Sequence, residues 1–157
     1  MDRAGPAGDV TVRSAREADL DRLIEIHRSA FPDARGGEAR RLNFTTSPLG
    51  SLDTLFVAER RGAIVAHAFL FPLEVCVART RVKAGGIASV GVAPEARGTG
   101  VAAALLEALH TIAHERGDAL TYLYAFRQGF YVAHGYAATS SMRRIVATPR
   151  SIPGAWV

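Results

Sequence analysis

The 157 residues are 48% hydrophobic and 22% charged, which suits one globular domain with a substantial core and excludes a disordered chain or a fibre. The apolar run from Ala63 to Pro72 is interrupted by His67 and is far shorter than the roughly 20 residues of a membrane span, so no membrane partner is expected. The net charge of +4 favours anionic partners without choosing among them, and the single cysteine, Cys76, excludes an intrachain disulfide and points to a reducing, cytoplasmic setting.

In chain order, residues 1–8 read as a flexible leader, because MDRAGPAGDV has no apolar stretch after its basic residue. Asp9 to Arg13 predicts a short strand. Ser14-Ala15-Arg16-Glu17 has the spacing of a capping box, with the serine serving the first free N–H groups of a helix and the glutamate reaching back. In that helix Leu20, Leu23, Ile24, Ile26, His27 and Phe31 form an apolar stripe, and Pro32 stops it. A weaker helix is expected over Gly37 to Phe44.

Thr54 to Glu59 and Ala63 to Phe71 predict strands joined by Arg60-Arg61-Gly62, with glycine where positive φ costs least. Leu73 to Ala78 and Arg81 to Ala84 predict a second hairpin that feeds a strand over Ile87 to Val92. A helix over Thr99 to Arg116 packs Val101, Ala102, Leu105, Leu106, Leu109, Ile112 and Ala113 and stops at Gly117. Ala119 to Phe126 is apolar on both alternating faces and predicts a central strand covered twice. A short helix near Gly129 to His134 ends at Gly135, and Tyr136 to Val146 predicts a returning strand. With no repeat, linker or charge run, residues 1–157 are expected to form a single domain.

The stretch VGVAPEARGTGVA from Val90 to Ala102 concentrates small residues at a helix start. Such a start offers unpaired N–H groups and the positive end of the helix dipole, and glycines let a ligand approach the backbone closely. Three phosphate cradles compete for it. A P-loop needs Gly-Lys-Ser/Thr, which does not follow. The dinucleotide pattern is formally met by Gly98, Gly100 and Ala103, but Pro94 to Arg97 separate strand from glycine, Asp118 precedes its strand, and only 59 residues follow Gly98. The third cradle is Arg97-Gly98-Thr99-Gly100-Val101-Ala102, matching Arg/Gln-x-x-Gly-x-Gly/Ala after a Val-x-Val-x-Pro strand end.

That motif resembles the acyl-CoA pyrophosphate loop of the GCN5-related N-acetyltransferase superfamily. VRSAREADLDRLIEIHRSAF is similar to the family's first strand and helix, ALTYLYAF to its fifth strand, and FYVAHGY to its Phe-Tyr-x-x-x-Gly-Tyr/Phe helix. GGIASVGVAPEARGTGVAAALLEAL with FYVAHGYA most resembles the N-terminal third of the enhanced intracellular survival group of aminoglycoside acetyltransferases. The resemblance implies an α/β (α+β) fold: a mixed, mostly antiparallel sheet, splayed between its fourth and fifth strands and flanked by about four helices.

It also implies acetyl-CoA as cofactor, no metal, and transfer of acetyl to a primary amine of a small molecule by direct attack. The cofactor would lie along Val90 and Val92, with the Val92 N–H as oxyanion donor, and against Arg97, Gly98, Thr99, Gly100, Val101 and Ala102. Tyr131 is expected to protonate the departing thiolate. An alkyl amine near pKa 10 must lose a proton at a cost of roughly 4 kcal/mol at neutral pH, yet the fourth strand carries no acid and only Ser89 as a polar side chain. Glu74, His67 and His134 are the remaining bases, of which Glu74 on an apolar strand is the candidate.

His110 and His114 stand four apart, but Thr111 replaces the glutamate of a metalloprotease helix, so they read as a solvated face. The scattered basic residues carry no nucleic-acid motif. Two alternatives use the same fold: a non-catalytic acyl-CoA sensor or partner module, and an acetyltransferase acting on a protein or tRNA amine. Neither excludes a homo-oligomer.

Overall fold

The computed structural model describes residues 9–32 and 37–139. They fall into two units, divided between Tyr124 and Ala125. The first carries a five-stranded sheet in the order β1-β2-β3-β4-β5, with β1 Val10–Ser14, β2 Leu55–Arg60, β3 Ala63–Val77, β4 Thr80–Val92 and β5 Leu120–Leu123. The first four strands are antiparallel neighbours, and β5 joins β4 in parallel. Helices α1 (Leu20–Ala30), α2 (Gly37–Thr45) and α3 (Val101–Glu115) belong to this unit. The described part of the second unit holds α4, Gln128–Val132. The α+β class, the mixed sheet and the four helices agree with the sequence reading.

Strand alternation sorts the core onto two faces. Leu55, Val57, Phe69 and Phe71 gather with Leu20 and Leu23 of α1 and Phe44 of α2. Phe56, Ala58, Ala68 and Leu70 are buried too and point the opposite way, where α3 contributes Val101, Leu105, Leu106, Leu109 and Ala113. The small Ala58, Ala66 and Ala68 let that helix lie close to the strands.

Differences from the predicted elements have local causes. The capping box sits two residues later than expected: Asp19, not Glu17, reaches back, its Oδ2 accepting the Arg16 N–H at 2.7 Å, while Ser14 remains in β1. β3 runs unbroken through Pro72. Leu70 donates its N–H to Thr54, the residue just before β2, at 2.8 Å, so the nitrogen of Pro72 lies on the same side, beyond the end of β2, where no ladder bond is lost. Likewise Gly85 and Gly86 do not bend β4. A Cβ at Gly85 would stand 2.8 Å from Leu70 Cδ1 and 3.2 Å from Asp118 Oδ2, so the glycine serves close packing beside β5. The Arg61-Gly62 turn has φ of 52° and 76°, the two left-handed residues that a right-twisted two-residue hairpin requires.

β5 departs furthest from expectation. Among the described residues it pairs with β4 alone, and Leu120 and Tyr122 are exposed, so the double cover predicted for this strand is not seen there. Tyr136 to Thr139 are not strand, and the rest of the predicted returning strand lies outside the described residues.

One ion network ties the start of α1 to the sheet. Arg13 reaches Asp19 at 2.7 Å and Glu59 at 2.5 Å, and its hydrogen bonds, with that of Arg16, hold the Asp19 carboxyl below its usual range. Asp19→Asn should cost about 2–3 kcal/mol at pH 7, because it leaves a part-buried arginine undercompensated. The depressed carboxyl contributes stability above its unfolded value near 4 and loses it as pH falls further. The deficit, read from urea midpoints, should therefore shrink below about pH 4.

Candidate active site

Two features meet where β4 ends. The first is an opening in the sheet. β5 follows β4 only from Ala84 to Ile87, leaving Ala88 to Val92 without a described partner on that side. Within this stretch Ser89 and Val90 together oppose the single Ala68 of β3, and Ser89 has a φ of 51°. This is a β-bulge, which twists the strand and re-aims its groups.

Alternation fixes the direction of the next donor. Ala93 gives its N–H to Val65 of β3 at 2.8 Å, so the Val92 N–H points away from β3, into the open side. The Val92 carbonyl behaves consistently, accepting a bond from Arg97 Nε at 3.2 Å rather than from β3.

The second feature is the start of α3. Gly98 and Gly100 have φ of 74° and 83°, a region that other residues enter only with strain. No heavy atom lies within 4 Å of where a Gly98 Cβ would sit. No side chain caps the helix, whose N-cap is Gly100, and the Thr99 hydroxyl is turned to Ala96 O at 2.7 Å. The first N–H groups of α3, including those of Val101 and Ala102, therefore face outward at the positive end of a 15-residue helix. An uncapped helix start beneath a glycine turn, with open space over Gly98, fits a pyrophosphate.

Other expected residues are placed differently. The Arg97 side chain, though exposed, is engaged by the protein's own groups: besides Val92 O, it donates to Ser29 O at 3.0 Å and Ser29 Oγ at 2.7 Å, and its backbone N–H bonds Pro94 O at 3.3 Å. It straps the loop to the end of α1. Glu74 is exposed and paired with Arg81 at 2.8 Å. It stands opposite Lys83, nine residues before Val92 on β4, or roughly 30 Å along the strand. The structure does not bring Glu74 together with Val92.

His67 is completely buried, with neither ring nitrogen bonded among the described residues. Burial, with His27 and Arg40 nearby, pushes its pKa down to about 3, so it is a poor base, sealed from solvent. Its ring lies against Gly91, where a Cβ would meet Nε2 at 2.7 Å. Gly91 is thus required for close approach, one residue before Val92.

In the second unit, Tyr131 lies on α4, its ring edge-on to Phe130 at 5.0 Å and Tyr136 at 5.7 Å between centroids. Burial pushes its phenol pKa up. His134 bonds the Phe130 carbonyl through Nδ1 at 2.8 Å. Sequence reasoning missed Ser29, Gly91 and Arg60, the last of which donates to Thr99 Oγ1 at 2.9 Å. Nothing local marks the first two, whose partners come from distant segments, and Arg60 was visible only as a turn residue.

A mixed sheet thus opens beside a glycine-turned helix start in an α+β architecture. The profile of the acetyltransferase (GNAT) domain matches residues 11–139, and the chain belongs to that family. Similar solved structures include a GCN5-related N-acetyltransferase from Anabaena variabilis, 25% identical with a TM-score of 0.70 over 79% of this chain and 31% of that one. Glucosamine-6-phosphate N-acetyltransferase from Arabidopsis thaliana is 19% identical, with a TM-score of 0.65 over 87% of this chain and 97% of its own. Ribosomal-protein-alanine N-acetyltransferase from Brucella melitensis is 20% identical, with a TM-score of 0.67 over 88% and 98%. The chain spans about a third of the Anabaena protein and nearly all of the other two. No curated protein sequence matches it. The chain is an acyltransferase domain of a family that draws its acyl group from acetyl-CoA, and no helix among the described residues is long and apolar enough to cross a membrane.

Proposed function

We propose that this chain, acting as a single domain, is an acetyl-CoA-dependent N-acetyltransferase that acetylates a primary amine of a small molecule by direct attack. The observation that carries the reading is the Val92 N–H, aimed into the open side of β4 next to the bare start of α3. A backbone donor held by the sheet needs no reorganisation as charge develops on the thioester oxygen. Val90 and Val92 would align the pantetheine arm, and the N–H groups from Gly98 to Ala102 would hold the pyrophosphate. Arg97 would keep both in place by its strap to Ser29.

When bound, the thioester would supply the acetyl carbon for attack by the amine, and the Val92 N–H would be the chain's donor to the negative charge that develops on the thioester oxygen as the thiolate leaves. We assign the proton for the departing thiolate to Tyr131, on the resemblance of FYVAHGY. We assign no side chain as base, since Glu74 is distant and paired and His67 is sealed. The amine's proton would leave to water, as uncharged amine is selected from solution.

The resemblance to the N-terminal third of the enhanced intracellular survival group stays within this proposal, as does the cytoplasmic setting. Cationic aminoglycosides are not the favoured acceptors, because Glu38, Asp53, Glu59 and Glu74 are the scattered acids of a basic protein.

The test is acetyl-CoA turnover against a panel of amines, with calorimetric CoA binding on the same sample. Release of CoA with some amines and not others supports the reading. Tight CoA binding with no amine acetylated would favour a sensor module instead, and turnover confined to a protein or tRNA amine would move the substrate to a macromolecule.

A further inference from the structure

Behind the glycine turn, where β2 and β3 meet in their hairpin, is an open cleft of about 290 Å³ lined by Arg60, Arg61, Val65, Glu95 and Ala96. Two arginines and one glutamate are among its lining residues. The Glu95 carboxylate is paired with Arg22 of α1 at 2.5 Å, and its own backbone N–H, then Arg22, lowers its pKa from the usual range. Arg61 has an exposed partner in Asp9 at 3.2 Å, a contact of little energetic weight.

Arg60 is different. It is half-buried, and among the described residues its partner is a neutral hydroxyl, Thr99 Oγ1, at 2.9 Å. Because that hydroxyl gives its proton to Ala96 O, it can only accept from Arg60. The arrangement fixes the guanidinium at the edge of the glycine turn with most of its donors uncommitted. A guanidinium has five N–H donors in a rigid fork that matches a phosphate. Partly removed from water and lacking a carboxylate, it gains more from binding an anion than an exposed, already paired cation does.

On the reading above, the pyrophosphate of coenzyme A occupies the N–H groups of α3. The cofactor has one further phosphate, the monoester on the 3′-oxygen of its ribose, whose second ionisation near pH 6 makes it largely dianionic at neutral pH. We propose that the Arg60–Arg61 cleft takes this 3′-phosphate, with Arg60 as its principal ligand and Arg61 as a second cation. The inference rests on the coenzyme reading of the loop and adds a subsite that selects coenzyme A over its dephosphorylated form. It also gives the Thr99 hydroxyl a role, which is to aim Arg60 rather than to cap α3.

The experiment is calorimetric titration of coenzyme A and of dephospho-coenzyme A into wild type, Arg60→Gln, Arg60→Lys and Arg61→Gln. Wild type should bind coenzyme A about tenfold or more tighter than dephospho-coenzyme A, the scale of a charge-assisted phosphate contact. Arg60→Gln should bring coenzyme A down to the dephospho level while leaving dephospho-coenzyme A within about twofold of wild type. Arg60→Lys, which keeps the charge and loses the fork, should fall between, and it carries the test if the glutamine variant does not fold. Arg61→Gln should lose only part of the preference.

Equal wild-type affinity for the two ligands overturns the subsite. So does an equal loss for both in Arg60→Gln, which would mean that Arg60 acts on the loop through Thr99. If wild type binds neither ligand, the coenzyme reading itself falls, and that outcome is distinct from the other two.

Discussion

Tyr131→Phe should lower kcat by about 100-fold or more, within the range that a positioned general acid contributes, while the affinity for CoA stays within about twofold. Burial raises the phenol pKa above its ordinary value, so the group is fully protonated at neutral pH. That is the form a donor to a developing thiolate needs. The phenylalanine ring retains the edge contacts to Phe130 and Tyr136, so α4 should keep its packing and thermal unfolding should move little.

Because only the hydroxyl is removed, the loss should appear in kcat and not in calorimetric binding. The pH profile gives a second readout. A phenol held above its usual range keeps its proton through pH 9, so the wild-type alkaline limb should not begin below that. A kcat within threefold of wild type would remove Tyr131 from the chemistry and leave it as a packing residue.

The sheet and the loop were legible in the sequence to different degrees. Positions governed by short-range rules could be read directly: the Arg61-Gly62 turn, the stripe of α1, and the two glycines that precede α3. Pro72 and the Gly85-Gly86 pair read as interruptions because in isolation they are. What carries the chain straight through them is the end of β2 beside Pro72 and the closeness of Leu70 and Asp118 to Gly85.

The candidate site divides along the same line. Its backbone part was visible, since small residues at a helix start have few other uses. Its side-chain part was not, because register decides it. Glu74 looked eligible on an apolar strand, and pairing with Lys83 carries it to the far end of β4. Arg97 looked like a phosphate contact, and the C-terminal end of α1 supplies it with Ser29 instead. Each outcome depends on partners that lie far from the residue in sequence or in register.

Lowering the pH from 8 to 5 should remove on the order of 4 kcal/mol of folding stability, and two histidines should account for it. His27 and His67 lie stacked with centroids 5.5 Å apart, enclosed by Phe31 and Phe44. Arg40 of α2 is the cation that bears on both. Burial pushes the pKa of His27 to about 4 and of His67 to about 3, whereas both titrate near 6.5 in the unfolded chain.

Between those values the unfolded state holds more protons than the folded one, so stability falls as pH drops below about 6.5 and continues falling towards pH 3. At pH 5 each histidine contributes a loss of about 2 kcal/mol, and together they represent a large fraction of a typical domain's stability. Urea midpoints between pH 8 and 5 measure the effect directly. His27→Leu or His67→Leu should halve the slope, and the double variant should flatten it. Near pH 7.5 the leucines should be close to neutral or stabilising, because they remove buried ring nitrogens that have no partner among the described residues.

A wild-type slope that is flat from pH 6 to 5 would mean that the pair gains its protons inside the fold. The His67 ring rests against Gly91, next to Val92, so on the proposed reading of Val92 folding and catalysis share this contact. Acid should therefore abolish turnover and tertiary structure together and reversibly, whereas Tyr131→Phe should remove turnover from an intact fold.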